Sequence, residues 1–180
     1  MGYLLDGVWH KDRQFPTAKD GSFVRKPSQF RGEINDCSQF LPKSQRYHLY
    51  VSLACPWAHR VLIMRQLKGL EAHIGVSVVD PDMLDFGWTF HKDKPGCTGD
   101  QLYQLNALYE LYLRADSKIT SRVTVPVLWD TELKTIVNNE SSDIIRIFNH
   151  SFNQITDNHE DYYPEALRDR IDYWNDVIYS

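Results

Sequence analysis

"YHLYVSLACPWAHRVLIMRQLKG", residues 47–69, is the stretch from which the fold can be read. Its start alternates and is rich in β-formers, which predicts a strand over 47–54. From 55 to 69 the spacing turns helical, with Pro56 at the first turn, where a backbone N–H is not needed, and Gly69 as the stop. On a wheel of about 100° per residue, Arg60, Arg65 and Lys68 share one side, which leaves Leu62, Ile63 and Leu67 for the sheet. "IGVSVVD", residues 74–80, follows as a second, apolar strand. Strand, helix and strand make a βαβ unit whose crossover is right-handed.

The remaining elements extend this unit. Residues 81–98 read as a loop punctuated by Pro and Gly, and "DQLYQLNALYELYLRAD" (100–116) as a helix with Leu102, Leu105, Tyr109 and Tyr112 at helical spacing. "TVPVLWD" (124–130) and "KTIVNN" (134–139) form a predicted hairpin, and "ESSDIIRIFN" (140–149) a helix with an acidic, hydroxyl-rich first turn. The order βαβ–α–ββα is that of an α/β, thioredoxin-like domain, assigned to 47–150. Residues 1–46 read as a long arm tacked down by Phe23 and Phe30. Residues 151–180 read as a linker and a helix starting near Pro164.

Composition narrows the classes. The chain has 180 residues, 42% of them hydrophobic and 24% charged, which allows a packed core. A net charge of −4 gives no basic surface for nucleic acid. No run approaches the roughly 18 apolar residues of a membrane span, and the N-terminus lacks the pattern of a secretory signal. Cys37, Cys55 and Cys97 are too few and too widely spaced for a disulfide framework or a CxxC zinc clamp, so a reducing, cytoplasmic setting is expected.

Cys55 ends the first strand and opens the helix. The first N–H groups of a helix are unpaired and carry partial positive charge, which favours a thiolate there. A small buried core residue is the alternative. A dithiol enzyme would carry a second cysteine at 58, where this chain has Ala58. The resolving thiol must then come from solution, and glutathione is the abundant candidate; Cys97 is a bystander or an internal substitute. Pro126 forfeits a ladder hydrogen bond. Either the Val125–Pro126 bond is cis, turning the Val125 backbone outward to pair with a peptide-like ligand, or Pro126 sits on an edge strand. Glu140 and Ser141 open a helix, an anion site for a ligand carboxylate, although an ordinary N-cap explains Ser141 equally well. Arg122 is a second carboxylate partner or a solvated charge. Trp88 taken singly reads as core. A zinc site from His48, Cys55 and His59 matches no common metal spacing, so no metal is expected.

"YHLYVSLACPWAHRVLIMRQLKGLE", "GWTF", "RVTVPVLWD" and "IVNNES", in this order, resemble the glutathionyl-hydroquinone reductases, the xi class of glutathione transferases. The likeness extends to the opening "LLDGVWH" and the closing "DYYPEAL". It implies a thioredoxin-like domain, an all-helical C-terminal domain and a homodimer. It also implies glutathione as co-substrate and glutathionylated aromatic substrates: a cysteine thiolate takes the glutathionyl group, the hydroquinone leaves, and a second glutathione releases GSSG. By position Cys55 matches the nucleophile and Trp88 a glutathione-contacting tryptophan. Arg122, Val123, Thr124 and Val125 match the segment binding the glutathione backbone and glycyl carboxylate. Glu140 and Ser141 match the pair at the γ-glutamyl end, and Pro126 the cis-proline. Family members are longer, and their helical domain supplies the hydroquinone site and proton donor. Ser180 falls inside the first helix of that domain, so weak turnover and impaired dimerisation are expected of this length. Three rival readings remain at this level: an omega-like thiol transferase or dehydroascorbate reductase, a fragment that only binds glutathione, and a monothiol iron–sulfur carrier.

Overall fold

The computed structural model describes residues 2–11 and 28–179. Phe23, one of the two expected anchors of the arm, lies outside the described residues. In chain order the elements are β1 (Tyr3–Leu5), β2 (Val8–His10), β3 (Tyr47–Val51), α1 (Pro56–Leu67), β4 (Ile74–Val78) and α2 (Leu108–Ala115). There follow β5 (Ser121–Arg122), β6 (Val127–Asp130), β7 (Thr135–Asn138), α3 (Ser141–His150), α4 (Asn153–Thr156), a 3₁₀ turn (Glu165–Leu167) and α5 (Arg168–Tyr179).

Among the described residues, one sheet runs β4–β3–β6–β7, with β3 and β4 parallel and the other neighbours antiparallel. This is the βαβ–ββα order of a thioredoxin-like domain. Every residue of β3 is buried, as a central strand covered on both faces requires. The buried pair of Arg46 with Asp130 and the Asp130 carboxylate's bonds to Glu132 N and Leu133 N, at 2.8 and 3.1 Å, set the turn between β6 and β7.

The βαβ unit forms where the sequence predicts it, but α1 is turned differently. Ala58 and Val61 face the core, whereas Ile63 and Leu67 are exposed. Lys68, assigned to the solvent side, is only 1% exposed. Its ammonium donates to the carbonyls of Asn158 and Glu160, and the Arg65 guanidinium donates to the Ile74 and Glu71 carbonyls. Long basic side chains bury their stems and satisfy backbone oxygens that the sheet and loops leave unpaired. A wheel that sends all charge to water misses this.

The helix expected over 100–116 shrinks to 108–115. The buried Asp100 carboxylate accepts N–H bonds from Leu102, Tyr103 and Leu105 at 3.0–3.1 Å and the Tyr50 hydroxyl at 3.0 Å. An Asp side chain thereby offers the backbone a turn in place of a helix. Gln104 is left-handed (φ 57°), and Ala107 pairs with Thr89 as an isolated bridge.

The segment read as an arm contributes to the core. Leu4, Ile34 and Phe40 belong to the same buried cluster as β3 and α3, and Phe30 packs edge-on against Tyr112 with ring centres 6.1 Å apart. At the other end Phe152 is buried beside Phe148, and Asp172 of α5 pairs with Arg146 and accepts the Tyr163 hydroxyl. No helix among the described residues is long and apolar enough to cross a membrane.

Candidate functional site

Cys55 is the N-cap residue of α1, extended (φ −102°, ψ 114°), and its side chain makes no capping bond to the helix. Its carbonyl accepts His59 N at 3.0 Å, and its own N–H donates to Ser52 O at 3.1 Å. The first turn of α1 is thereby set directly behind the sulfur. The thiol is half-buried and points at the Val125 carbonyl oxygen, 3.6 Å away. Cys55 packs against the rim of the core cluster without being closed inside it. The Val125–Pro126 bond is cis, the first of the two conformations the sequence allows.

The backbone leading to that bond is held by a hydroxyl. Tyr112, fully buried on α2, accepts Thr124 N at 3.3 Å and donates to Thr124 O at 3.1 Å. The same oxygen accepts the Asn139 side-chain amide at 3.1 Å. One phenol thus joins the segment before Pro126 to Asn139, the residue ahead of the α3 N-cap, and burial pushes its ionisation up. From the sequence Tyr112 carries only the signal of helical spacing, so this role was not readable there.

At the start of α3 the N-cap is Glu140, whose carboxylate accepts Ser142 N at 3.4 Å and the Ser28 hydroxyl at 3.1 Å. Ser141, the alternative cap, is already inside the helix. It is buried, and its hydroxyl accepts two bonds from the Arg60 guanidinium, Nε at 3.1 Å and Nη2 at 2.6 Å. Arg60 also stands 4.0 Å from the Glu140 carboxylate and lies over the Trp57 ring, 4.8 Å from its centre. Sequence geometry points Arg60 partly away from Cys55. The structure sends it to α3, coupling α1 to the first turn of α3. Ser28 was not singled out in the sequence and reaches Glu140 only through the fold.

The other expected site residues divide. Val123 and Val125 are buried and Thr124 half-buried, on the stretch between β5 and β6. Arg122 is half-buried on β5 with its Nε atom buried, so it is not a wholly solvated charge. Trp88 belongs to the core cluster at 8% exposure, on the segment whose carbonyl accepts Leu108 N at 2.8 Å. His48 bonds Ser77 Oγ at 2.8 Å inside the sheet layer, and burial pushes it down to about 4. That geometry takes it out of the zinc set with Cys55 and His59. Cys97 lies 3.7 Å from Val79 O, and burial pushes its thiol up. Among the described residues no group of three or more His, Cys, Asp or Glu is arranged to hold a metal.

The arrangement is a half-buried cysteine at a helix N-terminus, beside the irregular stretch that carries the cis Val125–Pro126 bond, with a cation and an anion paired at a second helix N-terminus. The profile of the family "Glutathione S-transferase, N-terminal domain" matches residues 54–151. The chain is 52% identical over 188 residues to the glutathionyl-hydroquinone reductase YqjG of Escherichia coli (strain K12), across 100% of this chain and 57% of that protein. Among solved structures, the xi-class transferase of Natrialba magadii superposes with a TM-score of 0.88 at 48% identity, over 99% of this chain and 54% of that one. The glutathione-bound structure of YqjG superposes with a TM-score of 0.85 at 50% identity, over 99% and 55%. The chain spans a little over half the length of these relatives.

Proposed function

Because the chain belongs to the glutathione S-transferase family, we propose that it binds glutathione along the Val123–Val125 edge and reduces glutathionyl-hydroquinones through Cys55. What carries the proposal is the position of the thiol, at the N-cap of α1 and 3.6 Å from the Val125 carbonyl. The unpaired N–H groups of a helix's first turn carry partial positive charge, and Cys55 stands at that end of α1. Once the proton is gone, the Val125 carbonyl loses its thiol donor and is open to the backbone N–H of a bound tripeptide.

The chemistry closes as follows. The Cys55 thiolate attacks the sulfur of the glutathionyl-hydroquinone, and a disulfide forms as the sulfur–aryl bond breaks. The ring carbon keeps the electron pair, takes a proton and leaves as the hydroquinone. A second glutathione, as thiolate, attacks the mixed disulfide, forms GSSG and returns the Cys55 thiolate. Sulfur is oxidised and the ring carbon reduced; the external reductant is glutathione. Ala58 suits this route, since no neighbouring thiol competes in resolving the disulfide.

Within this reading Glu140 and Ser141 hold the γ-glutamyl end, Arg122 the glycyl carboxylate and Trp88 a wall of the site. Residues 47–150 are the glutathione-binding unit, and 151–180 the start of a helical one. Similarity to a protein solved with glutathione bound supports the ligand; similarity to a glutathionyl-hydroquinone reductase supports the substrate class.

The test is steady-state GSSG formation from a glutathionyl-hydroquinone, with Cys55→Ser in parallel. The unaltered chain is expected to form GSSG and the variant to lose about a thousandfold in rate. Equal rates in the two proteins would end the reading. Faster turnover of dehydroascorbate than of the glutathionyl-hydroquinone would replace it with the omega-like one.

A further inference from the structure

We propose that the N-terminal hairpin braces the glutathione site and that Trp9 is its positioning residue, holding the 84–88 segment, and through it Trp88, in place. The proposal rests on the roles given above to Trp88 and Arg122.

The hairpin is encoded locally. "LLDGVWH", residues 4–10, sets Asp6–Gly7 between two short β runs, and both turn residues take positive φ, 48° and 80°. That is the two-residue turn whose twist matches flanking strands. One edge of the hairpin is fastened to the Arg122 strand. β1 pairs with β5, Tyr3 opposite Arg122 and Leu4 opposite Ser121, with the Leu4 side chain fully buried. Gly7 N donates to Ile119 O at 3.0 Å, and Asp6 N donates to Thr120 Oγ1 at 2.8 Å.

The other edge carries Trp9 to a different part of the chain. Its indole stacks on Tyr109 of α2, ring centres 4.7 Å apart and planes at 17°. Its Nε1–H donates to the Asp85 carbonyl at 3.0 Å, across 76 residues of sequence. Gly87 is left-handed (φ 68°), and a Cβ there would stand 2.9 Å from the indole Cη2. The backbone therefore lies directly against the ring, an approach only glycine permits in this conformation.

Among the described residues the 84–87 turn closes on itself, Gly87 N donating to Leu84 O at 2.9 Å, and is otherwise lightly held. Leu84 and Phe86 point outward, 74% and 59% exposed, so the turn buries little apolar area of its own. The Lys11–Asp85 ion pair is exposed on both sides and adds little. The indole, with its stack and its one directed bond, is the anchor supplied from outside, and the next residue along is Trp88. The hairpin thus ties together the two segments assigned to glutathione, β5 with Arg122 and the turn before Trp88.

The experiment is calorimetric titration of glutathione into the full chain carrying Cys55→Ser, alone and combined with Trp9→Ala or Trp9→Phe. Melting temperatures, and the Cys55 alkylation rate in the matching Cys55 proteins, are measured alongside. Trp9→Ala is expected to raise Kd about tenfold and Trp9→Phe, which keeps a stacking ring but loses the bond to Asp85, about threefold. Alkylation of Cys55, resolved by mass spectrometry, should stay within about twofold in both, because α1 is untouched. A tryptophan that merely stabilised the fold would lower the melting temperature and leave Kd of the folded protein unchanged in both variants, which overturns the brace. If Trp9→Ala does not fold, Trp9→Phe decides alone, and an unchanged Kd there is the overturning result. Absence of glutathione binding in the parent protein overturns the glutathione reading itself, an outcome distinct from binding that is indifferent to Trp9.

Discussion

The Cys55 sulfur and the Val125 carbonyl oxygen, 70 residues apart in the chain, meet at 3.6 Å. A ligand that occupies the Val125 edge must therefore cover the sulfur. S-methylglutathione, which cannot exchange, is expected to slow iodoacetamide alkylation of Cys55 about tenfold at ten times its Kd. The exposed Cys37 serves as the internal control. Equal protection of both thiols, or of neither, contradicts a ligand along this edge.

Arg60 spends its guanidinium on Ser141, with two bonds of 2.6 and 3.1 Å. Hydrogen bonds to charged groups contribute about 1.5–3 kcal/mol, so Arg60→Met is expected to weaken glutathione binding about tenfold or more. Arg60→Lys should recover only part, since an ammonium cannot reproduce the fork. Calorimetric Kd values decide it, and an unchanged Kd in Arg60→Met denies Ser141 and Glu140 a part in binding.

His48 gives the fold an acid-side dependence. Burial, opposed by Asp100 and reinforced by Arg65, pushes it from 6.5 to about 4. Between those values the unfolded chain takes up a proton that the folded protein refuses. Stability due to His48 is thus full above 6.5 and declines as pH falls towards 4, by about 3 kcal/mol in all. Urea midpoints from pH 7 to 4 should fall less steeply for His48→Phe than for the parent. Parallel curves would mean that the folded protein protonates His48 as readily as the unfolded chain does, and that burial does not lower it.

Tyr112→Phe removes one oxygen and leaves two donors, Thr124 N and the Asn139 amide, without it inside the protein. A buried donor stripped of its acceptor costs about 1–3 kcal/mol. We expect about 2 kcal/mol lost in urea unfolding, together with faster hydrogen exchange at Thr124. Exchange at Thr124 as slow as in the parent would show that the phenol does not hold this segment.

The core of the fold was legible because its signals are local. Alternation over 47–51, Pro56 at the head of α1 and Gly69 behind its end each act within a few residues, and the strand–helix–strand order needs no partner to be read. The helix that spacing predicts over 100–116 loses 100–107, where Leu102 and Leu105 keep helical spacing while one carboxylate, Asp100, gathers three N–H groups into a turn. Spacing carries no trace of that competition. The hairpin at 3–10 leaves no mark in the hydrophobic pattern, because three-residue strands are too short to show a period.

By itself, then, the sequence determined that a single cysteine stands between the first strand and the helix of the βαβ unit, that no second cysteine stands at 58, and that the acidic, hydroxyl-rich turn at 140–142 opens another helix. These follow from chain neighbours. Only the tertiary structure decided that the Val125–Pro126 bond is cis, that Cys55 faces Val125, that Arg60 and Lys68 turn inward to a hydroxyl and two carbonyls, and that Trp9 seats the 84–87 turn. Each joins groups 70 or more residues apart, apart from the proline bond, whose two isomers are close in energy in any short peptide. A long side chain or an X–Pro bond has several local minima of similar depth, and packing and the need to satisfy buried polar groups select among them.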